Sequence, residues 1–184
     1  MATLPKTGTV TYEEWLQMPA VNAKEEVVNG EIRIVPPNKL PHANIVDNLT
    51  ALFHKQLDRS VTLLYASTFG LVIRREPLTC RTPDMVLFER STMVVEDGFV
   101  HSAPQFGIEV LSPSERRPEI TEKLRDYESI GTAEVWLVSP EAATVEVLVL
   151  DDGELRRSAI VAEGVLQPKH FPAVQIDIAE IWPD

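Results

Sequence analysis

Two acids stand where acids are costly. Asp84 precedes the apolar run Met85-Val86-Leu87-Phe88, and Glu109 sits inside "FGIEVLS", residues 106–112. Both segments read as strands, rich in branched and aromatic residues. Side chains alternate faces along a strand, so Phe106, Ile108 and Val110 point one way and Gly107, Glu109 and Leu111 the other. A carboxylate on such a face is partly dehydrated, which is unfavourable unless a cation or a hydrogen-bond donor compensates. Two carboxylates from neighbouring strands, aimed at one point, suit Mg²⁺, a hard ion that takes few protein carboxylates and keeps several waters. The same acids can instead cap turns or pair with arginines. Arg81 is then the candidate partner of Asp84, and spacing leaves both readings open.

A third group comes from "PEITEKLRDYESIG", residues 118–131, which has helical periodicity and stops at Gly131. On a wheel of 3.6 residues per turn, Ile120, Leu124 and Tyr127 form the inward stripe. Lys123 falls in the same sector, toward Ile130, while Glu122, Arg125, Glu128 and Ser129 lie elsewhere. Such a lysine either snorkels, with its stem packed and its ammonium in water, or holds positive charge beside the two carboxylates.

The remaining elements must position these groups. Thr11 and Glu14 form a capping box ahead of a short helix ended by Pro19. "KEEVVNGEIRIVP" reads as a hairpin turning at Asn29-Gly30. Ile45, Val46, Leu49, Leu52, Phe53 and Leu57 repeat at helical spacing after His42. "VTLLYAS", "FGLVIRR", "DMVLFE" and "FGIEVLS" precede the lysine helix as strands. "EVWLV", "TVEVLVL" and "LRRSAIV" follow it, the last two joined at Asp152-Gly153, and "AVQIDIAEIW" reads as a strand and a helical turn. The pattern predicts an α/β fold, a central mixed sheet flanked by helices.

With 184 residues, the chain is long enough to bury a core and is read as one domain, 1–184. The net charge of −11 counts against non-specific binding to a polyanion, though metal-holding carboxylates contribute to it. The pairs Arg74-Arg75, Arg116-Arg117 and Arg156-Arg157 read as solvated charge. The lone Cys80 has no intramolecular disulfide partner and reads as a small packed residue; a reduced, cytoplasmic setting is expected. No apolar run is long enough to span a bilayer, and no leader-like segment opens the chain. A Gly-rich phosphate loop is absent.

"TPDMVLFE", "GIEVLSPS" and "EKLRDYESIGTAEVWLVSP" resemble the Uma-type restriction-endonuclease family of the PD-(D/E)XK nuclease superfamily. The likeness runs from "TYEEW" through "EEVVNGEI" and His42 to "IDIAEIW". It implies a restriction-endonuclease-like core and an endonuclease that cuts phosphodiester bonds, of DNA, with Mg²⁺, for which Mn²⁺ substitutes. At matching positions, Asp84 and Glu109 are the implied metal ligands, joined in this reading by the Val110 carbonyl. The superfamily's usual lysine position is here Leu111, and Lys123 on the helix is implied to replace it. Glu26 matches an acid near the site, with a second ion or a water as its role. His42 matches a family position at a helix start, where it contacts phosphate, moves a proton or simply makes a helix-start hydrogen bond. Asn29, Ser139 and Pro118-Glu119 depart from the family pattern without touching the core set. The rival expectation is a non-catalytic binding or assembly module on the same fold, which the acidic charge and Leu111 favour. "TVEVLVL" and "VTLLYAS", if exposed, would offer apolar surface to a homodimer.

Overall fold

The computed structural model describes residues 8–19, 23–66, 69–112 and 117–183. Pro113 and Ser114 of "LSPS", and Arg116 of the second arginine pair, lie outside them. The chain opens with α1 (Tyr12–Leu16), whose expected capping box forms: Thr11 Oγ1 accepts from the Glu14 amide and Glu14 accepts from the Thr11 amide. The hairpin β1 (Lys24–Val28) and β2 (Glu31–Val35) follows. Asn29 and Gly30 both have positive φ, 51° and 81°, as a two-residue turn of this hand requires. A Cβ on Gly30 would meet Thr9 Cβ at 2.7 Å, so the close approach also excludes a side chain. Next come α2 (Leu40–His54), β3 (Thr62–Ala66), β4 (Leu71–Arg75), β5 (Leu78–Arg81), β6 (Met85–Glu89), β7 (Val95–Glu96), β8 (Phe99–Val100) and β9 (Phe106–Val110). Then follow α3 (Arg117–Ile130), β10 (Glu134–Ser139), β11 (Thr144–Asp151), β12 (Glu154–Val161), β13 (Val165–Leu166) and β14 (Ile176–Asp177).

Six strands form a mixed central sheet in the order β12-β11-β10-β9-β6-β3. Only β9 and β10 run parallel, and α3 connects them. Strand alternation divides the core. Met85 and Leu87 of β6, with Phe106, Ile108 and Val110 of β9, pack with Ile45, Leu49 and Phe53 of α2. Val86 and Phe88 face the other way, with Tyr127 of α3 and Leu71 and Ile73 of β4. The sheet therefore lies between the two helices, as the sequence pattern predicts.

A second six-stranded sheet, β2-β1-β5-β4-β8-β7, was not foreseeable as a unit. It rests on β5 and on the two-residue strands β7 and β8, which are too short to carry a periodic signal. Its far side holds Tyr12, Val27, Val72, Leu78 and Cys80. Cys80 is buried, as expected of a packed thiol, and burial pushes its pKa up to about 12.

The expectation of exposed apolar strands needs correction. β11 is interior, hydrogen-bonded to β10 on one side and β12 on the other, with Val145 and Val147 in one core and Leu148 in the other. β3 does lie at the sheet edge, with most of its residues half-buried. No helix of the described residues is long and apolar enough to cross a membrane.

Candidate active site

Asp84, Glu109 and Lys123 meet. Asp84 sits at a bend just before β6, directly after Pro83. Glu109 points from β9 to the face covered by α3. Lys123 and Tyr127 are four residues apart on α3, so both reach the same carboxylate. Lys123 Nζ lies 3.0 Å from Glu109 Oε2, and the Tyr127 hydroxyl donates to Glu109 Oε1. Lys123 thus faces inward, as its place on the wheel predicts. Leu111, where a strand lysine is usual, packs partly buried in the core beneath α3.

Asp84 does not pair with Arg81. Its Oδ2 accepts from the Val110 amide at 2.9 Å and from His42 Nε2 at 3.1 Å, and its Oδ1 faces Lys24 Nζ at 3.3 Å. His42 therefore makes no helix-start hydrogen bond; α2 begins without a side-chain cap, and the ring is turned to Asp84. A carboxylate oxygen can only accept here, so Nε2 carries the proton and buried Nδ1 is left without a partner. Val110 contributes its amide to Asp84, an interaction that strand alternation does not reveal.

Glu26 lies beside this group but is already engaged. Arg81 Nη1 donates to its Oε2 at 2.8 Å, the Thr82 amide and hydroxyl reach Oε1 at 3.2 and 3.3 Å, and Lys123 stands 3.7 Å away. The register explains the contact: β1 and β5 are antiparallel with Val27 opposite Cys80, which sets Glu26 across from Arg81. Arg81, only 2% exposed, also binds Asp126 at 2.7 Å and Glu122 at 3.3 Å, both on α3. One guanidinium thus fastens the second sheet to the helix that carries Lys123.

Electrostatics separate the two central acids. Burial opposes the charge of Asp84, but the His42 hydrogen bond and the Lys24 ammonium outweigh it and hold the carboxyl at about 2. Burial dominates at Glu109 and pushes its pKa up, with the Lys123 charge only partly offsetting this. Glu26 goes down: Lys123 and Arg81 overcome its desolvation. The pKa of the Tyr127 phenol is raised well above its ordinary value by burial and by Glu109, so the hydroxyl keeps its proton and donates a hydrogen bond to the acid.

These groups floor an open cleft of about 1080 Å³ between the β2–α2 connection and the start of α3. Among the described residues, six basic and five acidic side chains line it, close to balance on a chain of net charge −11. Among the described residues, no three His, Cys, Asp or Glu side chains are grouped to hold a metal ion. The donors that suit a hard divalent ion are Asp84 Oδ1 and Glu109 Oε2. Each faces an ammonium and keeps lone-pair capacity. Sequence reasoning missed Lys24, Asp126 and the partners of Arg81. Lys24 had a local signal: it shares the strand face of Glu26, two residues on.

A structure from Anabaena variabilis, described as that of a "putative nuclease", superposes with a TM-score of 0.76 over 94% of this chain and 97% of its own. At 19% identity, that likeness establishes the fold, a restriction-endonuclease-like core. No curated protein sequence matches. The profile of the Uma2 family, described as "putative restriction endonuclease", matches residues 12–179. The chain therefore belongs to the Uma2 family.

Proposed function

We propose that the protein is a Mg²⁺-dependent endonuclease that hydrolyses phosphodiester bonds in DNA. The observation that carries this reading is the meeting of Asp84, Glu109 and Lys123, from three separate elements, on the floor of an open cleft. A divalent ion bound there would polarise the phosphate and supply a water of lowered pKa. Asp84 Oδ1 and Glu109 Oε2 would hold it, with the Val110 carbonyl as a third donor. Lys123 stabilises charge developing on the attacked phosphate and orients the water. His42 and the Val110 amide fix Asp84, and Tyr127 fixes Glu109, so neither acid has to reorganise. Glu26, bound by Arg81, positions Lys123 rather than a second ion. The balanced charge of the described cleft lining repels a polyanion less than the chain's net charge of −11 alone would. A homodimer would set two such sites on a duplex, one for each strand.

The internal neutrality of the site supports a second reading, a binding module in which Lys24 and Lys123 make a metal unnecessary. Incubating the protein with plasmid and single-stranded DNA, with Mg²⁺ or Mn²⁺, separates the two. Cleavage lost in Asp84→Ala and Lys123→Ala is the expected result. Cleavage that survives both substitutions rejects the assignment, and Mn²⁺ that fails to bind in calorimetry favours the module.

A further inference from the structure

Lys24 has no part in the set above, yet it touches Asp84 and lines the same cleft. It projects from β1 on the same face as Glu26, and its side chain is 16% exposed. The two lysines of the cleft are tethered differently. Among the described residues, Lys123 is gripped by Glu109 at 3.0 Å and Glu26 at 3.7 Å, and its stem is fixed by a helix that Arg81 clamps. Lys24 pairs with one oxygen, Asp84 Oδ1, at 3.3 Å. That oxygen is the one Asp84 leaves for a metal, since Oδ2 is taken by His42 and the Val110 amide. A divalent ion binds a carboxylate oxygen at roughly 2 Å and would repel an ammonium held beside the same atom. The ammonium sits on a flexible four-carbon stem and carries three donors, so it can turn without leaving the cleft.

We propose that Lys24 is a second catalytic lysine of this site: it neutralises Asp84 Oδ1 in the metal-free protein and, once a divalent ion takes that oxygen, contacts a non-bridging oxygen of the substrate phosphate. The proposal rests on the nuclease reading. It deepens that reading by placing one cation on each side of the phosphate, Lys123 from α3 and Lys24 from β1.

The test compares wild type, Lys24→Met and Lys24→Arg in two measurements: Mn²⁺ affinity by calorimetry without DNA, and cleavage of DNA at saturating Mn²⁺. Removing a competing ammonium should tighten Mn²⁺ binding in Lys24→Met by about tenfold, the equivalent of ~1.4 kcal/mol. Cleavage should nevertheless fall about 100-fold, as for loss of a transition-state donor, and recover partly in Lys24→Arg. Lys24→Met cleaving within about threefold of wild type would leave Lys24 as a mere counter-ion and overturn the proposal. Weaker Mn²⁺ binding in Lys24→Met would overturn it as well, because Lys24 would then assist the ion rather than compete with it. Wild type that cuts no DNA rejects the nuclease reading and this proposal with it; wild type that cuts beside an equally active Lys24→Met rejects this proposal alone.

Discussion

Two ionic clusters meet at Glu26, and they are built from different cations. In one, the Arg81 guanidinium binds Glu26, Asp126 and Glu122 across distances of 2.7 to 3.3 Å. In the other, Lys24 and Lys123 sit on Asp84 and Glu109. A guanidinium is planar and permanently charged, and it distributes donors over several acids; an ammonium is a point charge on a flexible stem. The first cluster is suited to fastening one sheet to one helix. The second leaves carboxylate oxygens whose counter-charge another cation can replace. Burial alone does not distinguish a scaffold from a site, since Arg81, Asp84 and Glu109 are all buried. The kind of cation and its tether do.

The largest expected effect breaks the first cluster. Arg81→Met leaves Glu26 and Asp126 buried without their main partner, and urea unfolding should show a loss of about 3–5 kcal/mol. Lys123→Met should be milder, within about 2 kcal/mol, because burial already favours a proton on Glu109 and the orphaned acid can take one. If the two variants lose equal stability, the distinction between scaffold and site fails. For cleavage the expectation is that Lys123→Met costs about 10² to 10³ in rate at saturating metal, the scale of one lost transition-state donor.

The two central acids should also respond to pH with opposite signs in metal-free protein. The folded pKa of Asp84, about 2, is below its ordinary 3.8, so its contribution is present above about pH 4 and is lost as pH falls through 2. It is worth on the order of 2 kcal/mol. Asp84→Asn should therefore be less stable than wild type at pH 7, with the gap closing toward pH 2. The folded pKa of Glu109 is raised above its ordinary 4.5, so the folded state loses stability as pH rises above 4.5. Glu109→Gln should be no less stable than wild type at pH 8, and its advantage should vanish below pH 4.5. Thermal unfolding in chelator across this range measures both. Curves that move in the same direction would contradict the assigned environments.

The smallest effect is a relocation. Leu111 occupies the position, two residues after Glu109, from which a lysine would share the acid's strand face. Leu111→Lys in a Lys123→Met background should restore part of the cleavage, at some cost in stability because Leu111 packs in the core. No recovery would mean that the helix supplies a geometry the strand does not.

What the sequence made legible was what local periodicity encodes. Alternation placed Glu109 opposite Ile108 and Val110, the 3.6-residue repeat turned Lys123 inward, and Asn29-Gly30 marked its hairpin. Contacts set by long-range pairing were not legible. Arg81 reaches Glu26 across 55 positions and Lys24 reaches Asp84 across 60, and each depends on the neighbour the second sheet provides. Proximity along the chain offers Arg81 only as a candidate partner of Asp84; the antiparallel pairing of β1 and β5 gives it to Glu26 instead. His42 was legible as a position but not as a contact, because only the packing of α2 on the central sheet brings its ring to Asp84.

The proposed hydrolysis requires one divalent cation shared by the Asp84 and Glu109 carboxylates. A crystal soaked in Mn²⁺ and measured for anomalous scattering tests it most directly. The expected result is a peak within coordination distance of Asp84 Oδ1 and Glu109 Oε2, with Lys24 displaced from its place on Asp84. An occupied Mn²⁺ site elsewhere, with Lys24 and Lys123 still seated on the two carboxylates, would contradict it.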